Sequence, residues 1–298
     1  MAALHVYGTV GKTTVGIMTD AILQSAHTEL DPSVLLLLDS DESGLHALTS
    51  TGDSARVVAN GDLVPASRLP ASAITFGLGQ AATLWASDLD ATLDGTGFTL
   101  NAGVEQHRVQ LPLLGEHQVM NALAALGVAH AAGIALEPAI VALQRVTTLG
   151  QGRMQRIDGS GDVIIINDGA SAQPVSVAAA LKALVQVAGG RRSVAVLGEL
   201  SLGAMDAEDS RAAHDRIGRL VVRLNVKKLV VVGHGARHIH NAAGLEGSWD
   251  GESVLVDTAA EAYDLLRDEL RPQDVVLVKS SESSSLDTLA EQLSGALR

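Results

Sequence analysis

Residues 8–14 read Gly8-Thr9-Val10-Gly11-Lys12-Thr13-Thr14, and they follow directly on the apolar run Leu4–Tyr7. A short strand that ends in glycines and then in Gly-Lys-Thr is typical of a phosphate-binding loop, because glycines let backbone N–H groups turn toward an anion. Val15–Leu23 has helical periodicity, so the loop is predicted to open into a helix whose N-terminus attracts negative charge. The alternative is an ordinary glycine-rich turn between a strand and a helix.

In a phosphate-binding loop of this kind, Lys12 contacts the outer phosphates of a nucleotide and the Thr13 hydroxyl holds Mg²⁺. The other predicted nucleotide-binding members of the loop are Gly8, Thr9, Gly11 and Thr14. The first glycine precedes Gly11 by only three positions, so the loop is a shortened relative of the usual G-x-x-x-x-G-K-[ST] pattern. We expect the nucleotide to be ATP.

Composition limits the classes of protein that the chain can represent. A length of 298 residues predicts two domains. Hydrophobic residues make up 47% of the chain and aromatic residues only 2%, which suits a core of Ala, Val, Leu and Ile between helices and parallel strands. A net charge of −13 argues against nucleic-acid binding, which needs a basic face. The lack of cysteine excludes disulfides, thiolate zinc sites and cysteine nucleophiles.

Targeting and membrane segments are not expected. The N-terminus enters a strand and a glycine loop at once, which is read as leaving no room for a signal peptide. The apolar run Val34–Leu38 is too short to cross a bilayer. We therefore expect a cytoplasmic monomer that acts on small molecules and has neither a nucleic-acid nor a membrane partner.

The second half of the chain alternates short β-branched runs with helical segments. The predicted strands are Val163–Ile166, Ser193–Leu197, Lys228–Val232, Ser253–Val256 and Asp274–Val278. The predicted helices are Ser176–Val187, Asp206–Leu224, Ala236–Ala243, Ala259–Leu270 and Leu286–Leu297. This alternation predicts a parallel, doubly wound sheet with right-handed crossovers, and ligands of such sheets bind at the carboxyl ends of the strands. The loops expected there are Asn167–Pro174, Gly198–Gly203, Gly233–Gly235 and Lys279–Ser285.

The first half is less regular. Leu4–Tyr7 and Val34–Leu38 are predicted as buried strands, and Ala73–Phe76 as a short strand-like piece. Residues 82–111 are predicted as antiparallel hairpins with one turn at Asp94-Gly95. The predicted helices Glu116–Gly133 and Glu137–Arg145 follow. Periodicity lapses between Thr147 and Asp158, so the domain boundary is placed near residue 150.

Five segments carry a family resemblance when they are taken in order. They are Gly8–Thr14 (family pattern GTxGKTT), Leu111–Ala125 (L-P-x-x-G-x-H-N-x-x-N-A-L-A-A), Gly152–Met154 (a Gly-Arg before the last domain), Ile166–Pro174 (I-N-D-x-Y-N-A-N-P), and Val196–Gly203 with His214 and Gly218 (V-L-G-E-M-L-E-L-G…H…G). Together they resemble the Mur ligases of peptidoglycan synthesis over nearly all of residues 105–298, and more loosely over the start.

This resemblance implies a fold and a reaction. Residues 1–150 would form a truncated, P-loop-type ATP-binding middle domain, and residues 151–298 a Rossmann-like, doubly wound C-terminal domain. The implied activity is that of an ATP- and Mg²⁺-dependent amide ligase. It joins D-alanyl-D-alanine to UDP-N-acetylmuramoyl-tripeptide through an acyl phosphate. Alternatives are a catalytically silent nucleotide-binding remnant, or another amide ligase of the superfamily, such as a folylpolyglutamate-type enzyme.

The resemblance also assigns roles to residues outside the glycine loop. Asn121 would lie near the adenine, and Arg153 and Asp168 would contact ATP, the latter at the ribose. The catalytic residues implied are Lys12, Glu199 and His214. The three nucleotide-binding residues named here also have simpler interpretations. Asn121 could be a helix-capping side chain, Arg153 a solvated loop residue, and Asp168 a turn residue.

Some family features have no counterpart in the printed sequence. They are the UDP-binding domain before the glycine loop, and the part of the middle domain that carries a Mg²⁺-binding Glu and His and a carbamylated lysine. Glu282 stands where the family has a basic or amide residue. Asp39–Glu42 resembles the family's N-x-D-D-P, and a simple turn is the alternative reading there.

Overall fold

The chain folds into two compact units, Met1–Thr147 and Thr148–Arg298. The computed structural model describes residues 3–30, 33–51, 55–247, 249–281 and 286–296. Each unit is built around its own β-sheet. None of the helices within these described ranges is long and apolar enough to cross a membrane.

The first unit contains a seven-stranded sheet whose strands lie side by side in chain order. The strands are β1 (Leu4–Tyr7), β2 (Val34–Leu37), β3 (Arg56–Asn60), β4 (Ile74–Gly77), β5 (Leu84–Thr92), β6 (Gly95–Ala102) and β7 (Glu105–Leu111). Strands β1 to β5 pair in parallel. Strands β5, β6 and β7 form antiparallel hairpins. The glycine loop therefore leaves the carboxyl edge of a parallel sheet, where ligands bind in α/β folds.

Helices cover both faces of the parallel part of this sheet. They are α1 (Lys12–Ser25), α2 (Glu42–Thr51), α3 (His117–Ala131) and α4 (Leu136–Leu143). Helix α3 is Ala-rich and packs on one face, where a Cβ on Gly127 would lie only 2.7 Å from the Cγ1 atom of Val58. Neighbouring residues of a strand point to opposite faces. On the other face, Val57 accordingly packs in a cluster with Leu45 and Leu48 of α2.

The second unit contains a six-stranded sheet. Its strands are β8 (Gln155–Asp158), β9 (Ile164–Asn167), β10 (Ser193–Leu197), β11 (Lys228–Val232), β12 (Glu252–Val256) and β13 (Val275–Lys279). Their spatial order is β12-β11-β10-β13-β9-β8, and every pair is parallel except β8 with β9. The central strands β10, β11 and β13 are buried along their whole length, as expected for parallel strands covered on both faces.

The helices of the second unit form two outer layers. They are α5 (Pro174–Ala188), α6 (Ala207–Arg223), α7 (Arg237–Gly244), α8 (Ala259–Glu269) and α9 (Asp287–Ala296). Alternate strand residues such as Val196 and Val278 pack against Leu266 of α8 and Leu289 of α9. Helix α5 contacts β10 and β13, helix α7 contacts β11 and β12, and α6 packs between these two helices. The unit is thus a three-layer α/β sandwich.

The α/β class and the parallel-dominated sheets predicted from the sequence are confirmed. Strands β9 to β13 begin and end within one residue of the predicted positions. The described part of α9 agrees with its prediction, although Leu297 lies outside the described residues. Among the α-helices and strands given above, three were not predicted: α2, β3 and the antiparallel edge strand β8. β8 shows no strand alternation because three of its four residues are exposed.

Candidate functional site

The glycine loop between β1 and α1 has a backbone that only glycine adopts easily. Gly8 has φ = +144° and Gly11 has φ = +89°, both in the region that side chains with a Cβ avoid. Space is also limiting, since a Cβ on Gly8 would lie 2.7 Å from the Cβ atom of Leu38, and one on Gly11 would lie 2.7 Å from the Oδ1 atom of Asn121. The loop is thus a cradle of bare backbone, and a Cβ atom at either glycine would fill the space inside it.

The N-terminus of α1 is left open by this loop. Gly11 is the N-cap and supplies no side-chain acceptor for the first N–H groups of the helix. Lys12 and Thr13 are exposed, whereas Thr14 is buried. The Lys12 ammonium donates to the carbonyl oxygen of Gly8. Unsatisfied N–H groups, a helix dipole and an exposed ammonium together form an anion-binding arrangement.

Asp39, at the carboxyl end of β2, supports the glycine loop. Its Oδ2 atom accepts the N–H of Thr9 at 2.6 Å, and its Oδ1 atom accepts the N–H of Asp41 at 3.0 Å. The sequence allowed two interpretations of this segment, a family motif or a simple turn. Its position after β2 could have linked it to the glycine loop, because β2 pairs in parallel with β1 and the ends of adjacent parallel strands meet at one edge.

Asn121 belongs to a short chain of side chains in the first turns of α3. Its Nδ2 atom donates to the Oε1 atom of Gln118 at 3.0 Å, and the Nε2 atom of Gln118 lies 3.0 Å from the Nε2 atom of His117. The chain ends at the glycine loop, where the Asn121 Oδ1 atom faces Gly11. The structure therefore brings Asn121 to the loop from the second turn of α3, whose N-cap residue is Glu116.

In the second unit, Asp168 follows β9 and is fixed by a buried lysine. The Nζ atom of Lys279 lies 2.9 Å from the Oδ2 atom of Asp168 and also donates to the carbonyl oxygens of Asp168 and Ser171. Lys279 is 2% exposed and the Asp168 side chain 14%. Sequence reasoning missed Lys279 as a site residue, although a lysine at the end of an apolar strand is buried only when it is paired.

Arg153 projects from a turn that is tied to the same loop. Met154 donates its N–H to the Oδ1 atom of Asp168 at 3.1 Å, and Ala170 donates to the carbonyl oxygen of Gly152 at 2.9 Å. Arg153 itself is half-buried. Within the described residues no carboxylate lies at ion-pair distance from its guanidinium. The turn thus holds an available cation beside Asp168.

Glu199 follows β10 and is exposed. Its carboxylate lies against the backbone of Gly235, where a Cβ would overlap it. Glycine at position 235 therefore leaves the space that the carboxylate occupies at the carboxyl edge of the sheet.

His214 lies on α6 and is 1% exposed. Its Nε2 atom accepts the N–H of Leu200 at 3.2 Å, and its Nδ1 atom donates to the carbonyl oxygen of Ser210 at 2.8 Å. Both ring nitrogens are therefore engaged within the protein. The histidine ties the loop after β10 to the first turns of α6.

Metal-ligating side chains are sparse around these loops. Across the described ranges, no group of three or more His, Asp or Glu residues is placed to hold a metal ion. The exposed hydroxyl of Thr13 is compatible with the predicted Mg²⁺, which commonly takes most of its ligands from substrate phosphates and water. Glu282 lies outside the described residues.

Comparison with known families agrees with the two-unit architecture. Residues 48–129 match the Mur ligase middle domain, and residues 152–282 match the glutamate ligase domain of the Mur ligases. The two matches fall one in each unit and together span more than two thirds of the chain. The chain belongs to the Mur ligase family.

Among the curated relatives are several UDP-N-acetylmuramoyl-tripeptide--D-alanyl-D-alanine ligases. The enzyme of Mycobacterium leprae is 45% identical over 202 residues, which is 63% of this chain and 38% of the relative. The enzyme of Bacillus subtilis is 29% identical over 223 residues, covering 74% of this chain and 46% of the relative. The matched part of the chain thus corresponds to less than half of these relatives.

Solved structures share the fold. The MurF ligase of Thermotoga maritima, solved in complex with ADP, has a TM-score of 0.82 at 19% identity and covers 99% of this chain and 80% of its own. MurF from Acinetobacter baumannii has a TM-score of 0.80 at 22% identity, and the match covers 99% of this chain and 76% of the MurF chain.

Proposed function

We propose that this chain carries the ATP-binding and C-terminal parts of a ligase that joins D-alanyl-D-alanine to UDP-N-acetylmuramoyl-tripeptide. The observation that carries the proposal is the 45% identity to the Mycobacterium leprae ligase. The open glycine loop supports it independently, because it fits the phosphates of a nucleotide.

In this proposal the first unit binds ATP as a substrate. Lys12 exchanges the carbonyl oxygen of Gly8 for phosphate oxygens, and the first N–H groups of α1 donate to the same anion. Thr13 would hold Mg²⁺, which neutralises phosphoryl charge when it is bound. Asn121, whose Oδ1 atom faces Gly11, contacts the part of the nucleotide that lies against the glycine loop. The cradle thus places a cation and backbone donors where negative charge accumulates.

The second unit contributes charged groups at the carboxyl edge of its sheet. Arg153 supplies a cation, and Asp168 holds the turn that presents it. Glu199 is the proposed general base. An exposed carboxylate can accept the proton that the attacking amine of D-alanyl-D-alanine must lose. The loop of Glu199 needs a fixed position for this task.

His214 is assigned a positioning role within the same proposal. Its two ring nitrogens already bond Leu200 and Ser210, so it fixes the loop that carries Glu199 and has no free nitrogen for the substrate. This differs from the catalytic role expected from the sequence.

Calorimetric titration with Mg²⁺-ATP tests the nucleotide part of the proposal. The Lys12→Ala variant should bind about 10- to 100-fold more weakly than the unchanged chain, because it loses charge-assisted contacts worth about 1.5–3 kcal/mol. Lys182→Ala, which removes an exposed lysine from α5, is the matched control and should bind normally. Equal affinity in all three proteins would refute the assignment of the loop.

A second assay tests the reaction. ADP release should depend on both the UDP-linked tripeptide and D-alanyl-D-alanine. Nucleotide binding without such release would point instead to a nucleotide-binding module that lacks ligase activity. Absence of nucleotide binding would contradict both functions.

A further inference from the structure

A cleft between α6 and α7 is lined by none of the residues assigned above to the nucleotide or the amine. Its volume is about 600 Å³, within the range of about 300–1,000 Å³ that small-molecule sites occupy. The residues that line it and matter for its chemistry are Arg211, Asp215 and Arg219 of α6, with His238, Asn241 and Leu245 of α7 and its C-cap. We refer to it as the α6–α7 cleft.

Helix geometry explains why these side chains share one cleft. Arg211, Asp215 and Arg219 follow one another at intervals of four, and residues 238, 241 and 245 at intervals of three and four, so each set lies on one helix face. The helices approach closely because Gly218 has no Cβ; a methyl group there would overlap the carbonyl oxygen of Ile239. The close contact between α6 and α7 at Gly218 thus sets the position of the cleft.

The cleft runs along α6 and α7, from the first half of each helix into its second half. A helix that follows a strand runs back toward the amino ends of the strands. Arg219 falls in the second half of α6, and Asn241 and Leu245 at the end of α7. The nearby ring of His240 bonds to Ser253, the second residue of β12. The cleft therefore extends toward the amino edge.

The charged lining of the cleft consists of two arginines and two carboxylates. They are Arg211 and Arg219, with Asp215 and Glu246. The Arg211 Nε atom is 3.9 Å from the Asp215 Oδ2 atom, a loose pair. Arg219 is exposed, and among the described residues no carboxylate reaches its guanidinium. Its charge is available to a ligand.

His238 lines the same cleft, and its pKa responds to burial and to the charges around it. Partial burial, followed by the guanidinium groups of Arg237 and Arg211 and the ring of His214, lowers the pKa of His238, while Asp215 opposes this shift. The side chain of Glu246 also lines the cleft, and His240 carries its hydrogen bond to Ser253. An anion bound near His238 would raise that pKa again.

We propose that the α6–α7 cleft binds a small organic anion, whose carboxylate or phosphate group pairs with Arg219 and Arg211 and whose apolar part rests on Leu245. Leu245 is 85% exposed and offers the apolar surface. The planar guanidinium of Arg binds carboxylate and phosphate groups through paired donors. The lining residues of the cleft are different from those proposed above for the nucleotide and the amine.

Histidine NMR on the full chain tests this proposal. Phenyl phosphate and benzoate serve as probes, with benzylammonium as the cationic counterpart, each added up to about 10 mM, enough to detect millimolar affinity. We expect saturable shifts of the His238 ring signal, assigned with His238→Gln, for at least one anion and none for the cation. Comparison of the two anions distinguishes a phosphate ligand from a carboxylate ligand.

Variants make the result specific. Arg219→Gln should weaken anion binding about tenfold through loss of a charged donor pair, while Arg216→Gln, another exposed arginine of α6, should leave it unchanged. Leu245→Ser should weaken phenyl phosphate more than inorganic phosphate. The proposal is overturned if no anion gives saturable shifts, if Arg219→Gln binds as well as the unchanged chain, or if benzylammonium binds equally well. A response only to an acidic peptide or to anionic vesicles would also overturn it.

Discussion

At the scale of single residues, buried charge decides how the second unit presents its loops. Lys279 is 2% exposed and satisfies its ammonium with the Asp168 carboxylate and two carbonyl oxygens. A buried ion pair adds little net stability when it forms, but removing one partner leaves an uncompensated charge. Position 279 therefore controls both stability and the geometry of the Asp168 loop.

We expect Lys279→Met to lower the free energy of unfolding of the second unit by about 3 kcal/mol, because Asp168 loses its partner. Lys227→Met is the matched control. It breaks an exposed pair with Asp250, at 3.0 Å, and should cost no more than about 1 kcal/mol. Urea unfolding followed by the fluorescence of Trp249, in a Trp85→Phe background, measures both. Similar losses in the two variants would contradict this account.

The glycine loop makes a second prediction at this scale. Gly11→Ala forces a Cβ into the positive-φ region and toward the Asn121 Oδ1 atom, 2.7 Å away. The change should cost about 1–2 kcal/mol for the backbone alone and should weaken ATP binding as well. Gly16→Ala, inside α1 with open space around it, should instead stabilise the helix by about 0.5–1 kcal/mol. Calorimetry and urea unfolding separate the two effects, and normal ATP binding by Gly11→Ala would count against the cradle.

At the scale of elements, the contact between α6 and α7 depends on one missing methyl group. A Cβ at Gly218 would meet the backbone of Ile239 and the Cβ atom of Ala242, neither of which can rotate away. The Asp206 side chain caps α6 by accepting the N–H of Asp209 at 2.8 Å, which fixes where that helix begins. Packing and capping together set the register of the helix pair.

Gly218→Ala should therefore destabilise the second unit by about 1–3 kcal/mol, as overpacking does in other cores. Gly295→Ala, in α9 and with nothing within 4 Å of the added Cβ, is the control and should be neutral or slightly stabilising. Thermal unfolding of the two variants is the measurement. A neutral Gly218→Ala would show that the helices can separate freely.

At the scale of the whole molecule, the chain has two hydrophobic cores, one in each unit, and each unit contains one tryptophan whose fluorescence can report its unfolding. Trp85 lies on β5 of the first unit, and Trp249 donates its indole N–H to the carbonyl oxygen of Val226 in the second unit. If the glycine loop binds ATP, ligand binding must stabilise the unit that contains it.

A concentration of Mg²⁺-ATP about 100 times its Kd should raise the free energy of unfolding of the first unit by about 2.7 kcal/mol. Trp85 fluorescence in a Trp249→Phe background follows this transition, and the Lys12→Ala variant at the same concentration should show a much smaller rise. An equal rise in the Lys12→Ala variant would place the nucleotide elsewhere.

Much of the fold was readable in the sequence because burial patterns are local. The runs Ser193–Leu197 and Lys228–Val232 are continuous apolar segments between helical ones, and the structure gives them the predicted bounds. By contrast β3 was missed, because it lies in a polar stretch and is defined by its pairing with β2 and β4. Pairing partners distant in sequence leave no periodic signal.

The sequence by itself determined the α/β class, the order of most elements and the glycine loop, since spacing, glycines and apolar runs follow from rules within a few residues. Only the tertiary structure decided that Asp39 supports Thr9, that Lys279 holds Asp168, and that His214 is engaged at both nitrogens. These partners lie 4 to 111 residues apart along the chain. Chain folding brings them to hydrogen-bond distance, and no local pattern encodes which polar group will satisfy which.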